Sequence, residues 1–383
     1  MAIVLAEALP RRHTTRSGIH HYGQQRVTVY RKGDTNMTKT HRAGKMQQSR
    51  KKRPQRAIRP IEHVVLIVKE NHCFDNYFGI FPGADGMVMP RSPNPPTQDP
   101  NHSHDAWLTR QSTAVREQFV AQDIPAYFAY AREFTLCDNY FTDVAGPSTP
   151  NHLMLIAAAS PIIVNPSRYR LPVGAPLFKL PSLPMSLEKA KLTWANYGGY
   201  AFDFIQELHG RPQLKSEQFQ TDAGAGKLPA VSWVYAPHDA SEHPPDRNDT
   251  GRPLVGNVTH GMQWTVNQVN SVVKGGLWPK TVIFITWDDW GGWFDHVDPP
   301  NVEPWTDGTQ FRYGSRVGCL VLSPYAKRGH ISKVLHSHVS LLKFCETTFG
   351  LGPLNKRDAS ADDMSDCFDF QQRLTPPPPA NPV

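Results

Sequence analysis

An α/β fold is what the sequence predicts, and three observations predict it. VVLIV at 64 to 68 and TVIFITW at 281 to 287 are short, β-branched apolar runs of the kind found in strands buried on both faces. Similar runs recur at Val231 to Tyr235 and at Gly318 to Leu322. Between these runs the apolar spacing turns helical, so strand and helix patterns alternate along the chain.

The elements follow in chain order. Residues 1 to 60 hold 15 Lys and Arg against Glu7 and Asp34, a net +13, so the remaining 26 basic and 32 acidic side chains leave the rest at −6. The formal +7 of the 383-residue chain therefore belongs to a basic extension, expected over 1–58, and is no sign of a nucleic-acid-binding body. MAIVLAEALPRR has an acid inside its short apolar stretch and its arginines after it, the wrong order for a secretory signal, which predicts a cytoplasmic protein. The five cysteines are odd in number and form no CxxC pair, in keeping with reduced thiols. No run approaches the roughly 18 to 20 apolar residues of a spanning helix.

The folded body is expected over 59–370. Helical patterns cover Ile124 to Phe134, the apolar LMLIAAA after Asn151, and His338 to Phe349, where Leu341, Leu342, Cys345 and Phe349 share a face. Residues 87–100 and 237–256, rich in Pro, Asp and Gly, read as loops, and the Pro-rich 371–383 as a flexible tail.

Polar residues follow two of the strands directly. The first runs into Lys69, Glu70, Asn71 and His72, and the strand at 281 to 287 into Asp288 and Asp289. In open α/β sheets the ligand site lies outside the carboxyl ends of the strands. Glu70, Asn71, Asp288 and Asp289 thus supply four hard oxygen donors to one edge, a set that suits one divalent cation such as Mg, Ca or Mn.

GPSTPNH at 146 to 152 offers a nucleophile. Pro150 suits the first position of a helix, which makes Thr149 the expected N-cap and sets Ser148 just ahead of the helix N-terminus. Backbone donors and the positive end of the dipole favour an anion such as phosphate there. Histidines complete the candidate set: His243 in SEHPP, His296 in GGWFDHVDPP, His338, and His102 or His104 in PNHSHDAW. Gly291 and Gly292 suggest a tight turn that returns Asp295 and His296 toward the acidic pair.

These segments resemble a known family. ENHCFDNYFG at 70 to 79 is similar to the ENRSFDHYFG signature of the bacterial and plant phosphoesterases that include non-specific phospholipase C and acid phosphatase A. IPAYFAYAREFTLCDNYFTDVAGPSTPNH is similar to the nucleophile region of that family, SEHPP and TWDDWGGWFDHVDPP to its histidine and second metal motifs. The segment from RYGSRVGCLVL to KFCETTFGL resembles its C-terminal strand and helix, so the likeness covers about residues 60 to 370 in order. It implies an alkaline-phosphatase-like three-layer α/β/α fold with a mixed sheet, and metal-dependent hydrolysis of a phosphate ester or phospholipid through a phosphoserine. It implies Glu70, Asn71, Asp288 and Asp289 as metal ligands, Ser148 as nucleophile, and His243, His296, His338 and His102 as active-site histidines. A phospholipid substrate would bring peripheral membrane contact; no specific nucleic-acid partner is implied.

The chain departs from the family pattern at named positions. His72-Cys73 stand for the usual Arg-Ser, Asp288-Asp289 for the Asp-Glu of phospholipases, and Trp290 for a frequent His. Ser337-His338-Val339-Ser340 replaces Asp-His-Thr-Ser and removes an acid that would orient His338. The Asp-Asp pair leans toward acid phosphatases, while the altered His338 region admits a non-catalytic phosphoester-binding protein as the alternative.

Overall fold

The computed structural model describes residues 60–167, 170–245, 256–300 and 313–382; the basic extension lies outside them. The strands are β1 (His63–Lys69), β2 (Thr135–Cys137), β3 (Tyr140–Phe141), β4 (Trp194–Tyr197), β5 (Val231–Tyr235), β6 (Thr281–Trp287), β7 (Cys319–Leu322), β8 (His330–Ser332) and β9 (His336–Ser337). The helices are α1 (Phe74–Phe78), α2 (His104–Leu108), α3 (Arg110–Thr113), α4 (Pro125–Glu133), α5 (Ser148–Ala157), α6 (Leu183–Lys189), α7 (Gln218–Gly224), α8 (Val258–Lys274), α9 (His338–Phe349) and α10 (Lys356–Ser360).

Seven strands form one mixed sheet in the order β4-β5-β1-β6-β7-β2-β8. β4, β5, β1 and β6 run parallel, and β7 is antiparallel to both β6 and β2. The apolar runs of β1 and β6 fall in the middle, where both faces are covered, and every residue of β6 is buried. Alternation along β6 shows the two faces. The Phe284 ring meets Phe344 of α9, whereas Trp287, three residues on, packs against Tyr127 of α4. Trp233 of β5, in register with Leu66 as Phe284 is, donates its indole N–H to Leu155 O of α5. Helices α5 and α9 therefore cover one face and α4 and α8 the other, the three-layer arrangement expected.

Helix α8 was not legible as a run of apolar residues, because its Thr, Asn and Gln dilute the pattern. Its buried positions Val258, Met262, Val266, Val269 and Val272 nevertheless recur at three- and four-residue spacing. Asn257 caps it, accepting from His260 N–H at 2.9 Å. Near the start of the Pro-rich tail Thr375 is anchored: its N–H donates to Pro324 O at 2.9 Å and its carbonyl accepts from Trp278 Nε1 at 3.1 Å. No helix among the described residues is long and apolar enough to cross a membrane.

Beneath the sheet edge lies a buried ion pair. Lys69, the last residue of β1, places Nζ 3.3 Å from Glu242 Oε1 and 3.1 Å from Gly261 O, with a further bond to Ala240 O. Glu242 also accepts from Tyr127 at 2.7 Å, Tyr77 at 2.8 Å and Trp287 Nε1 at 2.9 Å. Burial pulls the Lys69 ammonium below the usual lysine range, and the Glu242 charge opposes that shift. One carboxylate thus joins β1, α1, α4 and β6.

Candidate active site

Register sets the site. Lys69 pairs with Trp287 across the parallel β1–β6 ladder, so Glu70 and Asn71 emerge beside Asp288 and Asp289. Asn71 sits at φ +64, in the left-handed region that Asn tolerates better than most residues. This turn aims its backbone N–H at Asp288 Oδ1, 3.0 Å away. From the other side Gly291 (φ +60) packs so close that a Cβ there would lie 1.9 Å from Asn71 O. Gly291 N–H donates to Asp289 Oδ1 at 2.7 Å and fixes that carboxylate.

Helix α5 supplies the third side. Its first residue is Ser148 and Pro147 occupies the N-cap, so the helix begins earlier than the expected Thr149 cap. Thr149 instead shares a hydrogen bond with Tyr200 Oη at 2.8 Å and donates its N–H to Asn165 Oδ1 at 2.8 Å. Ser148 Oγ, buried, donates to Asp289 Oδ2 at 3.0 Å. One turn along, His152 Nε2 lies 3.1 Å from Asp288 Oδ2 and 3.9 Å from Glu70 Oε1. His152 is absent from the sequence-derived set, yet its four-residue spacing from Ser148 was the available signal, since residues i and i+4 share a helix face.

Three carboxylates this close cannot all stay charged. Burial, then the charges of Asp288 and Asp289, push Glu70 well above the usual carboxylate range. Burial and the Asp288 charge do the same to Asp289. At Asp288 burial also works upward, but the hydrogen bond and charge of His152 outweigh it and hold the group low. Glu70, His152 and Asp288 bring ligand atoms within 4.8 Å of one another, a group that could hold a metal ion and offset this surplus of negative charge. Asn71 Oδ1, buried and without a hydrogen-bond partner, is a fourth oxygen left open for it, and the donor set is the hard one that Mg, Ca or Mn takes. His152 Nδ1 and Tyr235 Oη are likewise buried and without a hydrogen-bond partner.

The structure divides the expected histidines. His102 Nε2 is 3.3 Å from Asn71 Nδ2, and its ring is 5.9 Å from that of His243, which places both beside the carboxylates. Each commits Nδ1 to a backbone carbonyl, Pro100 O at 2.8 Å and Pro244 O at 2.7 Å. Burial lowers the pKa of His243 below the usual histidine range. Trp290, in place of a family histidine, donates its indole N–H to His102 O at 3.0 Å and holds that loop. His104, the other reading of that segment, turns its Nδ1 to Ala145 O at 2.6 Å.

His338 reaches the acidic pair from behind. Nε2 donates to the Asp288 carbonyl at 2.9 Å and Nδ1 accepts from Tyr140 Oη at 2.9 Å, so Tyr140 takes over the orienting part of the missing Asp. Burial lowers its pKa to about 4 and keeps it neutral. With both nitrogens engaged, His338 positions Asp288.

His296 is not brought to this group. The Gly291–Gly292 turn forms, but it delivers Asp295 and His296 to another cluster, where His296 Nδ1 is 2.6 Å from Asp75 Oδ2 and Nε2 3.3 Å from Asp85 Oδ1. The reason is Arg316. Its buried guanidinium lies 3.0 Å from both Asp75 Oδ1 and Asp295 Oδ1, and a buried charge must be paired.

A model described as the Phosphoesterase family matches residues 61–100 and 97–352. The chain is 26% identical to phospholipase C B of Mycobacterium tuberculosis, over 84% of this chain and 80% of that one. It is 25% identical to the non-hemolytic phospholipase C of Pseudomonas aeruginosa, over 85% and 59% respectively. Among solved structures it is similar to a protein in the alkaline phosphatase superfamily from Vibrio parahaemolyticus, with TM-score 0.42 and 11% identity over 80% of this chain and 70% of that one.

Proposed function

Because the chain belongs to the Phosphoesterase family, we propose that this hydrolase of phosphoester bonds works through a phosphoserine at Ser148 with one divalent cation held by Glu70, Asn71, Asp288 and Asp289. The observation that carries the reading is the Ser148 hydroxyl, buried at the first turn of α5 and pointed at Asp289 across the acidic group.

Phosphate esters hydrolyse very slowly unaided, because their negative oxygens repel a nucleophile. When bound, the cation neutralises a phosphoryl oxygen and lowers the pKa of the neighbouring hydroxyl. Ser148 Oγ forms the new P–O bond as its proton leaves toward Asp289 Oδ2, the acceptor it already faces. The positive end of the α5 dipole favours the phosphoryl oxygens. His102 and His243 address the remaining oxygens and the leaving alcohol, which departs with the electrons of the broken P–O bond and takes up a proton. Water then attacks phosphoserine and releases phosphate or a phosphorylated headgroup. His152 keeps Asp288 ionised, and Tyr140, through His338, fixes its backbone.

The test compares p-nitrophenyl phosphate with p-nitrophenyl phosphorylcholine, with and without chelator, alongside intact mass of acid-quenched enzyme. Turnover of either substrate, loss on chelation and phosphate on Ser148 are expected; preference between the two separates monoesterase from phospholipase C. Ser148→Ala should abolish turnover, whereas Thr149→Ala should remove the bond to Tyr200 and cost about 1 kcal/mol of stability. Equal activity loss in both folded variants overturns Ser148 as nucleophile.

A further inference from the structure

A second group of metal-ligating side chains lies at the far strands of the sheet, built from residues that the proposed mechanism does not use. Cys137 ends β2, His336 opens β9, and Cys367 closes a short 3-10 turn, Ser365–Cys367. All three are buried, and their ligand atoms lie within 4.8 Å of one another. Cys137 Sγ and Cys367 Sγ are 3.7 Å apart, far beyond the roughly 2.05 Å of a disulfide. Cys367 Sγ is 4.0 Å from His336 Nε2 and 3.6 Å from Asp366 Oδ1, which is itself 3.1 Å from that nitrogen.

These separations suit the edges of a tetrahedron around zinc. Bonds of about 2.3 Å to sulfur and 2.0–2.1 Å to nitrogen or oxygen give edges of roughly 3.8 Å between sulfurs, 3.5 Å from sulfur to nitrogen and 3.3 Å from nitrogen to oxygen. We propose that Cys137, His336, Cys367 and Asp366 form a structural zinc site.

The surroundings fit. Asp362 Oδ1 stands 3.1 Å from His336 Nδ1, the carboxylate that metal-bound histidines commonly have behind them. Ser332 Oγ lies 3.0 Å from His336 Nε2 and donates to Asp366 Oδ2, so it steadies the outer oxygen of that carboxylate while Oδ1 faces inward. Two thiols select a soft or borderline ion over the hard cation of the catalytic group. Zinc entry displaces the thiol protons to solvent.

The site would tie β2, β9 and the C-terminal segment together. Tyr140 and His336 are register partners, and His338 follows two residues later. A metal here would brace the ribbon that seats His338 against Asp288.

The experiment uses the full chain, purified under reductant, stripped of metal and titrated anaerobically with Co(II), then Zn(II). One equivalent of cobalt should give thiolate-to-cobalt charge-transfer absorption, which zinc then bleaches; oxygen ligands of the catalytic group cannot produce that band. Cys137→Ser and Cys367→Ser should each lose most of it, and Asp289→Asn should keep it. Absence of the band in wild-type protein whose thiols are all free on denaturation overturns the proposal, and so does its persistence in both cysteine variants. The wild-type titration decides even if a variant fails to fold.

Discussion

Asp288 is the residue on which most of the site converges, touched by Asn71, His152 and the His338 ring. Removing one partner should therefore show at Asp288 first. His152→Ala takes away the group that holds this carboxylate ionised beside Glu70, and metal affinity should fall about 10- to 100-fold, as losses of ligand-supporting groups do. Calorimetric titration of the stripped variant with Mn(II) checks it, and an unchanged affinity would show that His152 serves the substrate alone. The four oxygen donors and Ser148 were legible because strand ends and a helix start mark them in one dimension. His152 and Tyr140 were not, since a histidine inside an apolar helix and a tyrosine before a loop gain meaning only when another strand lies alongside. His296 shows a different limit. Its motif was visible, but the buried guanidinium of Arg316 that claims its neighbours comes from 20 residues downstream.

At the scale of elements, the two turns after β1 and β6 act as one piece. Asn71 and Gly291 both have positive φ, and the glycine lies against the asparagine backbone. Gly291→Asn separates conformation from contact, because Asn accepts a positive φ but brings a Cβ to 1.9 Å from Asn71 O. Metal affinity and turnover should both collapse in a protein that keeps its helical circular dichroism, and wild-type turnover would refute the contact argument. Central strands were readable from their apolar runs because both their faces are covered. β2, β3, β8 and β9, two or three residues each, carry too few positions for a pattern. Their pairing is set by tertiary contact, as is the start of α5 at Ser148.

For the whole molecule, acid is the relevant stress. Burial lowers His72 and His338 to a pKa of about 4, against about 6.5 when unfolded. Between those values the unfolded chain binds more protons at these two rings, so their contribution to stability falls as pH falls through this window, while buried carboxyls such as Asp295, raised to about 6, work in the opposite direction. Each histidine contributes on the order of 2 kcal/mol of loss by pH 5. Thermal unfolding from pH 7 to 5 should show the midpoint of wild type falling relative to that of His72→Gln; a difference between the two that does not change with pH would contradict it. The Lys69–Glu242 pair sets a further expectation, since breaking a buried pair costs about 3–5 kcal/mol. Glu242→Gln should lower the unfolding midpoint far more than Ser148→Ala, as scanning calorimetry would register. That carboxylate sits one residue before His243, inside the motif that announces the site. A mutational screen scored only on turnover would rank it with the nucleophile, so soluble yield must be measured beside activity before any residue of that motif is assigned to chemistry.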